Sequence, residues 1–361
     1  MRKIFPAESR VFRDSATGRQ VRQVTTAKAI HHHPFFLVPA YDAGCRWLFF
    51  VSHRLGDPQL FAEERASGRL IQLTEVPGLN EWSVHPCRSG RFVYFTTQEG
   101  GYRVDLASQA LEKLVEFGGH RSKQAGMVAG GMGTTALSHC GRHWAIALGA
   151  EDGVKLHVLD TESLGFELLT EHDAIAHMQF CPDDSQLLFF AGNFKERLWT
   201  IQLDGGDKKQ HYQREKGQWI THESWIAGRR ELAFVDWPHA VRALDIASGA
   251  VRTIARFNAW HPVANDEGTM MITDTNGPDT GIHVFPVDGQ SEPALVCRSE
   301  ATNAGEHWHG PFPYEDGPIE VYAPQHTHPH PRFAPGGRHA VFTSDRTGVA
   351  QVYEATLEEH R

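Results

Sequence analysis

The sequence predicts an all-β protein, a single seven-bladed β-propeller domain over residues 1–361, and three observations predict it. A short run of aromatic and β-branched residues recurs seven times. Turn-forming residues stand ahead of most of these runs. The last unit is one strand short, and a spare strand opens the chain.

The runs fall at 47–51 (Trp-Leu-Phe-Phe-Val), 92–95, 144–148, 187–190, 232–235, 270–273 and 340–343. They are short, rich in β-formers and bounded by Gly, Pro and Asp, which marks interior strands rather than helix. Turns such as Pro182-Asp183-Asp184-Ser185 and Pro335-Gly336-Gly337-Arg338 precede them, and alternating strands such as Leu198-Trp199-Thr200-Ile201-Gln202-Leu203 follow. Strand and turn alternating with a period of about 45 residues is the pattern of a four-stranded blade. No helix of any length is expected.

Unit seven ends after its third strand, at 349–355, while residues 9–25 contain the unassigned strand Val21-Arg22-Gln23-Val24-Thr25. The N-terminal strand is therefore expected to complete the last blade, since closing the ring pairs an edge that would otherwise be open. The longest gap between units carries Gly, Pro, His and aromatic residues at 298–325 and reads as an insertion over the channel face.

With 22% charged and 40% hydrophobic residues the composition is that of a globular protein. A net charge of −9 without a basic block gives no surface for nucleic acid. The opening Met1-Arg2-Lys3-Ile4-Phe5-Pro6 has no apolar run behind it, and no stretch approaches the roughly 18 apolar residues of a membrane span. A cytoplasmic protein without a membrane partner is the expectation. Cys45, Cys87, Cys140, Cys181 and Cys297 are odd in number and widely spaced, as expected of reduced, mostly packed thiols. The 23 histidines exceed ordinary usage and direct attention to metal or proton chemistry.

Aligning the units on their turns produces a column of histidines in units four to seven: His177, His222, His261 and His330, each three residues before the aligned core position. The innermost strand of each blade lines the propeller channel, so equivalent residues of neighbouring blades lie at one height around the axis. These imidazoles are expected to converge. In Gln325-His326-Thr327-His328-Pro329-His330-Pro331, an extended strand would project His328 and His330 to one side, as two neighbouring metal ligands require. Imidazole and amide donors without thiolate suit Mn, Fe, Ni, Co or Zn and argue against a structural zinc site. The run His31-His32-His33 reads either as exposed, solvated imidazoles or, at His33, as a substrate contact. His177 is a further candidate for substrate contact, and His307, Trp308 and His309 in the inserted segment read either as holders of a sugar ring or as surface packing.

On these residues the chain resembles the oligogalacturonate lyases, seven-bladed propellers of pectin degradation, and their TolB-like relatives. The resemblance rests on Gln325, His328, Pro329, His330 and Pro331, followed by Phe333-Ala334-Pro335-Gly336-Gly337 and Phe342-Thr343-Ser344-Asp345. It implies a manganese-type ion bound by His261, Gln325, His328 and His330. It also implies a catalytic base at His222, in Thr221-His222-Glu223-Ser224-Trp225, and a charge-stabilising arginine at Arg197. The family's pattern does not extend residue by residue to 306–314, and units one to three diverge from it.

The residue types fit that activity. β-Elimination from a 4-linked uronide removes the weakly acidic C5 proton and builds negative charge on the C6 carboxylate, which a cation must offset. A neutral imidazole is a suitable base near neutral pH, and arginine can hold the carboxylate in two-point contact. The expected function is thus a metal-dependent lyase of small acidic oligosaccharides, oligogalacturonate by default. A lyase for another uronide such as rhamnosyl-glucuronate, a uronate epimerase or hydrolase, and a non-catalytic TolB-like binding propeller remain as alternatives.

Overall fold

A computed structural model describes residues 3–120, 133–302 and 325–357. Seven antiparallel sheets make up the propeller, five of four strands and two of five. Every recurring run found in the sequence falls on the second strand of its blade, from Trp47–Ser52 in blade 1 to His339–Ser344 in blade 7. These strands are buried on both faces, with Phe49, Phe50, Phe95, Trp144, Phe189, Phe190, Phe234 and Phe342 all fully buried. That double burial is why they read as continuous apolar runs instead of alternating ones. Among the described residues the single helical element is the 3-10 turn Gln325–Thr327. None forms a helix long and apolar enough to cross a membrane.

The N-terminal segment closes the ring as expected. Gln20–Gln23 pairs antiparallel with Gln351–Thr356, the last strand of the chain, and Arg10–Arg13 adds outside it. One further pairing was not foreseen: Ile4–Phe5 lies along Arg69–Gln72, the outer strand of blade 1. The first 23 residues therefore hold both blades that meet at the seam. Residues 303–324 of the expected insertion lie outside the described residues.

A buried ionic cluster locks that seam. Arg22 donates to Glu354 through Nε at 2.7 Å and to Glu63 through Nη1 at 2.5 Å and Nη2 at 2.8 Å. Arg65 donates to Glu354 at 2.7 Å, and the Tyr41 hydroxyl to its other oxygen at 2.6 Å. Glu63 and Glu354 are 0% and 4% exposed. Replacing Arg22 with methionine strands buried carboxylate charge, so a loss of about 3–5 kcal/mol in unfolding free energy is expected. Burial pushes the Glu354 carboxyl up, but Arg22 and Arg65 outweigh it and hold the group below its usual range. The stability this supplies is present above the unfolded carboxylate value of about 4.3 and is lost as pH falls through the lowered folded value. Denaturant titrations of wild type and Arg22→Met between neutral and acid pH check both statements, the variant losing most of that acid dependence.

Candidate metal centre and active site

The four column histidines do converge. His177 and His222 have ring centroids 5.5 Å apart, His222 and His261 4.3 Å, and His261 and His330 4.2 Å. Their inward aim has a backbone cause. In blade 4 the pairing runs Ala176 to Ala191 and then Gln179 to Phe189, so two residues face one; blade 5 repeats this between Thr221 and Ser224. At these β-bulges His177 and His222 take φ of 48° and 51°, and His330 in blade 7 takes 48°. Left-handed backbone at a non-glycine residue costs about 1–3 kcal/mol and persists only where packing enforces it.

The floor beneath the ring comes from blade 1. Between His31–His32 and Trp47–Ser52 the chain dips inward, and Phe36, 0% exposed, packs its ring against all four column histidines at 5.0–6.1 Å. Phe35 adds contacts to His177 and His330. The expectation of solvated imidazoles at 31–33 is corrected here, since His31, His32 and His33 are 0%, 1% and 1% exposed. They enter the channel with the Phe35-Phe36 segment and are buried by it. His33, expected as a substrate contact, instead donates from Nε2 to the Pro329 carbonyl at 3.2 Å, which also accepts from Thr343 N at 2.9 Å.

Three of the four implied metal ligands come together: His261, His328 and His330 each present a nitrogen within 4.8 Å of the other two. The extended strand expected to carry His328 and His330 begins only at Arg332. The two rings, 5.6 Å apart, are brought to one side by the 3-10 turn before His328 and the left-handed residue at His330. Gln325 opens that same turn, so its backbone stands at the head of the ligand-bearing segment.

Asp274, just past the second strand of blade 6, organises the centre. It accepts from Nδ1 of His261 at 2.8 Å and from the backbone N–H groups of His261 and His330 at 2.8 and 3.3 Å. With Nδ1 donating to a carboxylate, Nε2 of His261 keeps its lone pair for a metal, the arrangement typical of ligand histidines. Nε2 of His330 is buried without a hydrogen-bond partner among the described residues. Burial, followed by the neighbouring His261 and His328, pushes the His330 imidazole well below its usual range, so it is neutral at ordinary pH. Converging nitrogen donors of this kind fit a divalent ion.

His222 and Arg197 flank the centre on the side of blades 4 and 5. His177, His261 and His330 are 4%, 1% and 2% exposed, whereas His222 is half-buried and the most open of the four. Its imidazole too is lowered well below the usual range, by burial first and then by His261, His177 and Arg197. Arg197 is buried and held by Glu223 through Nε at 2.5 Å and Nη2 at 3.3 Å, while His177 meets the same carboxylate through Nδ1 at 2.7 Å. Burial raises the Glu223 carboxyl, but the Arg197 charge and the His177 hydrogen bond prevail and hold it at about 2. His177 therefore meets Arg197 through Glu223. His307, Trp308 and His309 lie outside the described residues.

The sequence profile of the oligogalacturonate lyases matches residues 154–360. The oligogalacturonate lyase of Dickeya dadantii is 23% identical over 385 residues, covering 96% of both chains. The oligogalacturonide lyase of Pectobacterium atrosepticum is 23% identical over 394 residues, covering 98% of this chain and 97% of its own. Among solved structures, the oligogalacturonate lyase of Vibrio parahaemolyticus superposes with a TM-score of 0.84 at 18% identity, covering 99% of both chains. An oligogalacturonate lyase in complex with manganese gives 0.84 at 20% identity, covering 99% of this chain and 98% of that one. With the profile spanning more than half of its length, the chain belongs to the oligogalacturonate lyase family.

Proposed function

We propose that this protein is a metal-dependent lyase that cleaves short oligogalacturonides by β-elimination. The observation that carries the reading is a half-buried, neutral His222 whose ring stands 4.3 Å from that of His261, one of three imidazoles that converge as metal ligands. His261, His328 and His330 hold the ion, with Gln325 as the fourth ligand the family implies; manganese is the ion bound by a structural relative. When bound, the ion supplies positive charge to a C6 carboxylate and so acidifies the C5 proton.

His222 takes that proton. The C5–H electron pair becomes the C4–C5 double bond, the C4–O bond breaks, and the departing oxygen leaves with the pair. Arg197, fixed by Glu223, adds charge where the enolate develops. His177 positions that carboxylate from the other side. The chain acts as one propeller domain. The same reading makes short imported oligosaccharides, met in the cytoplasm, its substrates.

The test is ultraviolet absorbance of the conjugated C4–C5 double bond during incubation with di- and trigalacturonate. A rise that chelation abolishes and Mn²⁺ restores is expected. No rise with metal-loaded protein on any uronide would overturn the lyase reading.

A further inference from the structure

Outside the ligand set just assigned, the channel mouth contains a second convergence. His32 lies on the innermost strand of blade 1, His53 just past Trp47–Ser52 of the same blade, and Glu81 in the connection leading to blade 2. Each presents a ligand atom within 4.8 Å of the other two. Nε2 of His53 and Nε2 of His32 approach one and the same oxygen, Oε2 of Glu81, at 2.7 and 3.3 Å. His32 is fully enclosed, whereas the side chains of His53 and Glu81 are 24% and 25% exposed, so the cluster keeps one open face.

Hydrogen-bond polarity at His32 points to a cation. Its Nδ1 lies 3.0 Å from the His33 carbonyl and its Nε2 3.3 Å from Glu81, so both ring nitrogens face groups that only accept. A neutral imidazole has one N–H. One of the two contacts therefore sets a lone pair against an acceptor, and a positive species on the ring or between Nε2 and Glu81 resolves it. His261 shows the same plan, with its outer nitrogen given to a fixed acceptor and its inner nitrogen left to ligate. The Trp82 indole stacks on His32 at 4.2 Å and 24° and fixes the ring plane. The same indole meets His330 at 5.9 Å, edge on, so one side chain separates the two clusters.

We propose that His32, His53 and Glu81 form a second divalent-metal site beside the first, with Trp82 between them. Two imidazoles and one carboxylate with an open face make up a donor set that holds first-row divalent ions such as Zn²⁺ or Mn²⁺ and leaves positions for water or an anion. A bound ion would also tie the innermost strand of blade 1 to the connection leading to blade 2. A proton on Nε2 of His32 is the competing positive species, and a metal count separates the two.

The full-length protein, stripped of metal and dialysed against Mn²⁺ or Zn²⁺ in modest excess, is assayed for bound metal by mass spectrometry. Two equivalents are expected in the wild type and one in Glu81→Gln and His53→Ala. Conversely, His330→Ala is expected to lose the other equivalent and retain the one that Glu81→Gln then removes. Glu81→Gln is nearly isosteric, and its unchanged thermal midpoint together with its remaining equivalent shows that the ring is intact. A count that is the same in Glu81→Gln and wild type overturns the proposal. Because the count does not depend on turnover, failure of the lyase assay leaves this result standing, and the reverse holds as well.

Discussion

Replacement of His222 by asparagine is expected to lower kcat for formation of the unsaturated product by roughly 10²–10⁴-fold, the usual worth of a positioned general base. Asparagine is the informative choice because residue 222 has a φ of 51°, a conformation it tolerates better than alanine. The backbone at the bulge is then preserved while the base is removed. Bound metal and thermal midpoint should stay at wild-type values, since the converging donors are on His261, His328 and His330. Steady-state kinetics on trigalacturonate, with metal content measured on the same samples, check this. Retention of more than about a tenth of wild-type kcat would be incompatible with the base contribution above and would move the role elsewhere. His177 is poorly placed to inherit it, because its Nδ1 is engaged by Glu223 and its ring is 4% exposed.

The second large effect concerns the metal. His261→Ala removes a ligand and the partner of Asp274 together, and activity is expected to fall to the level of the chelated enzyme. Asp274→Asn is subtler: it leaves all three imidazoles but weakens the acceptor that orients His261 and the backbone of His330. Loss of such a supporting contact typically costs about 10–100-fold in metal affinity. Titration of the metal-free protein with Mn²⁺, read by electron paramagnetic resonance, should show that weakening, and saturating Mn²⁺ should restore much of the Asp274→Asn activity but little of the His261→Ala activity. Equal affinity in wild type and His261→Ala would remove that histidine from the centre.

The blades were legible because their second strands are buried on both faces, which writes an unbroken apolar run into the sequence seven times over. The histidine column was legible for a related reason: a repeating fold gives equivalent residues equivalent positions. What escaped was whatever depends on irregular backbone. Glu223 was visible in the Thr221-His222-Glu223 motif, but its pairing with Arg197 follows from the bulge, which no strand period announces. Asp274 sits thirteen residues from His261 and meets it only because a hairpin folds back.

The three consecutive histidines misled for a physical reason. Polar residues in a row suggest solvent, yet the next residues, Phe35 and Phe36, draw the whole segment into the channel. Sequence order does not reveal that Glu81 and Trp82, from the approach to blade 2, meet His32 there. Ile4–Phe5 was too short to read as a strand and is explained only by the open edge of blade 1 that it covers.

The way the ring is sealed also governs when it can form. Arg22 and Glu354, joined across the seam, are 332 residues apart in the chain. During synthesis the first blades can assemble one after another as they emerge, and Ile4–Phe5 can pair with blade 1 early, but Gln20–Gln23 lacks its inner partner until Gln351–Thr356 is made. Until then the ring is unsealed, and Gln20–Gln23 keeps one edge unpaired. Contacts of such long range form late and slowly. For this fold, then, the exposed interval lasts until Gln351–Thr356 has been made and Gln20–Gln23 has paired with it.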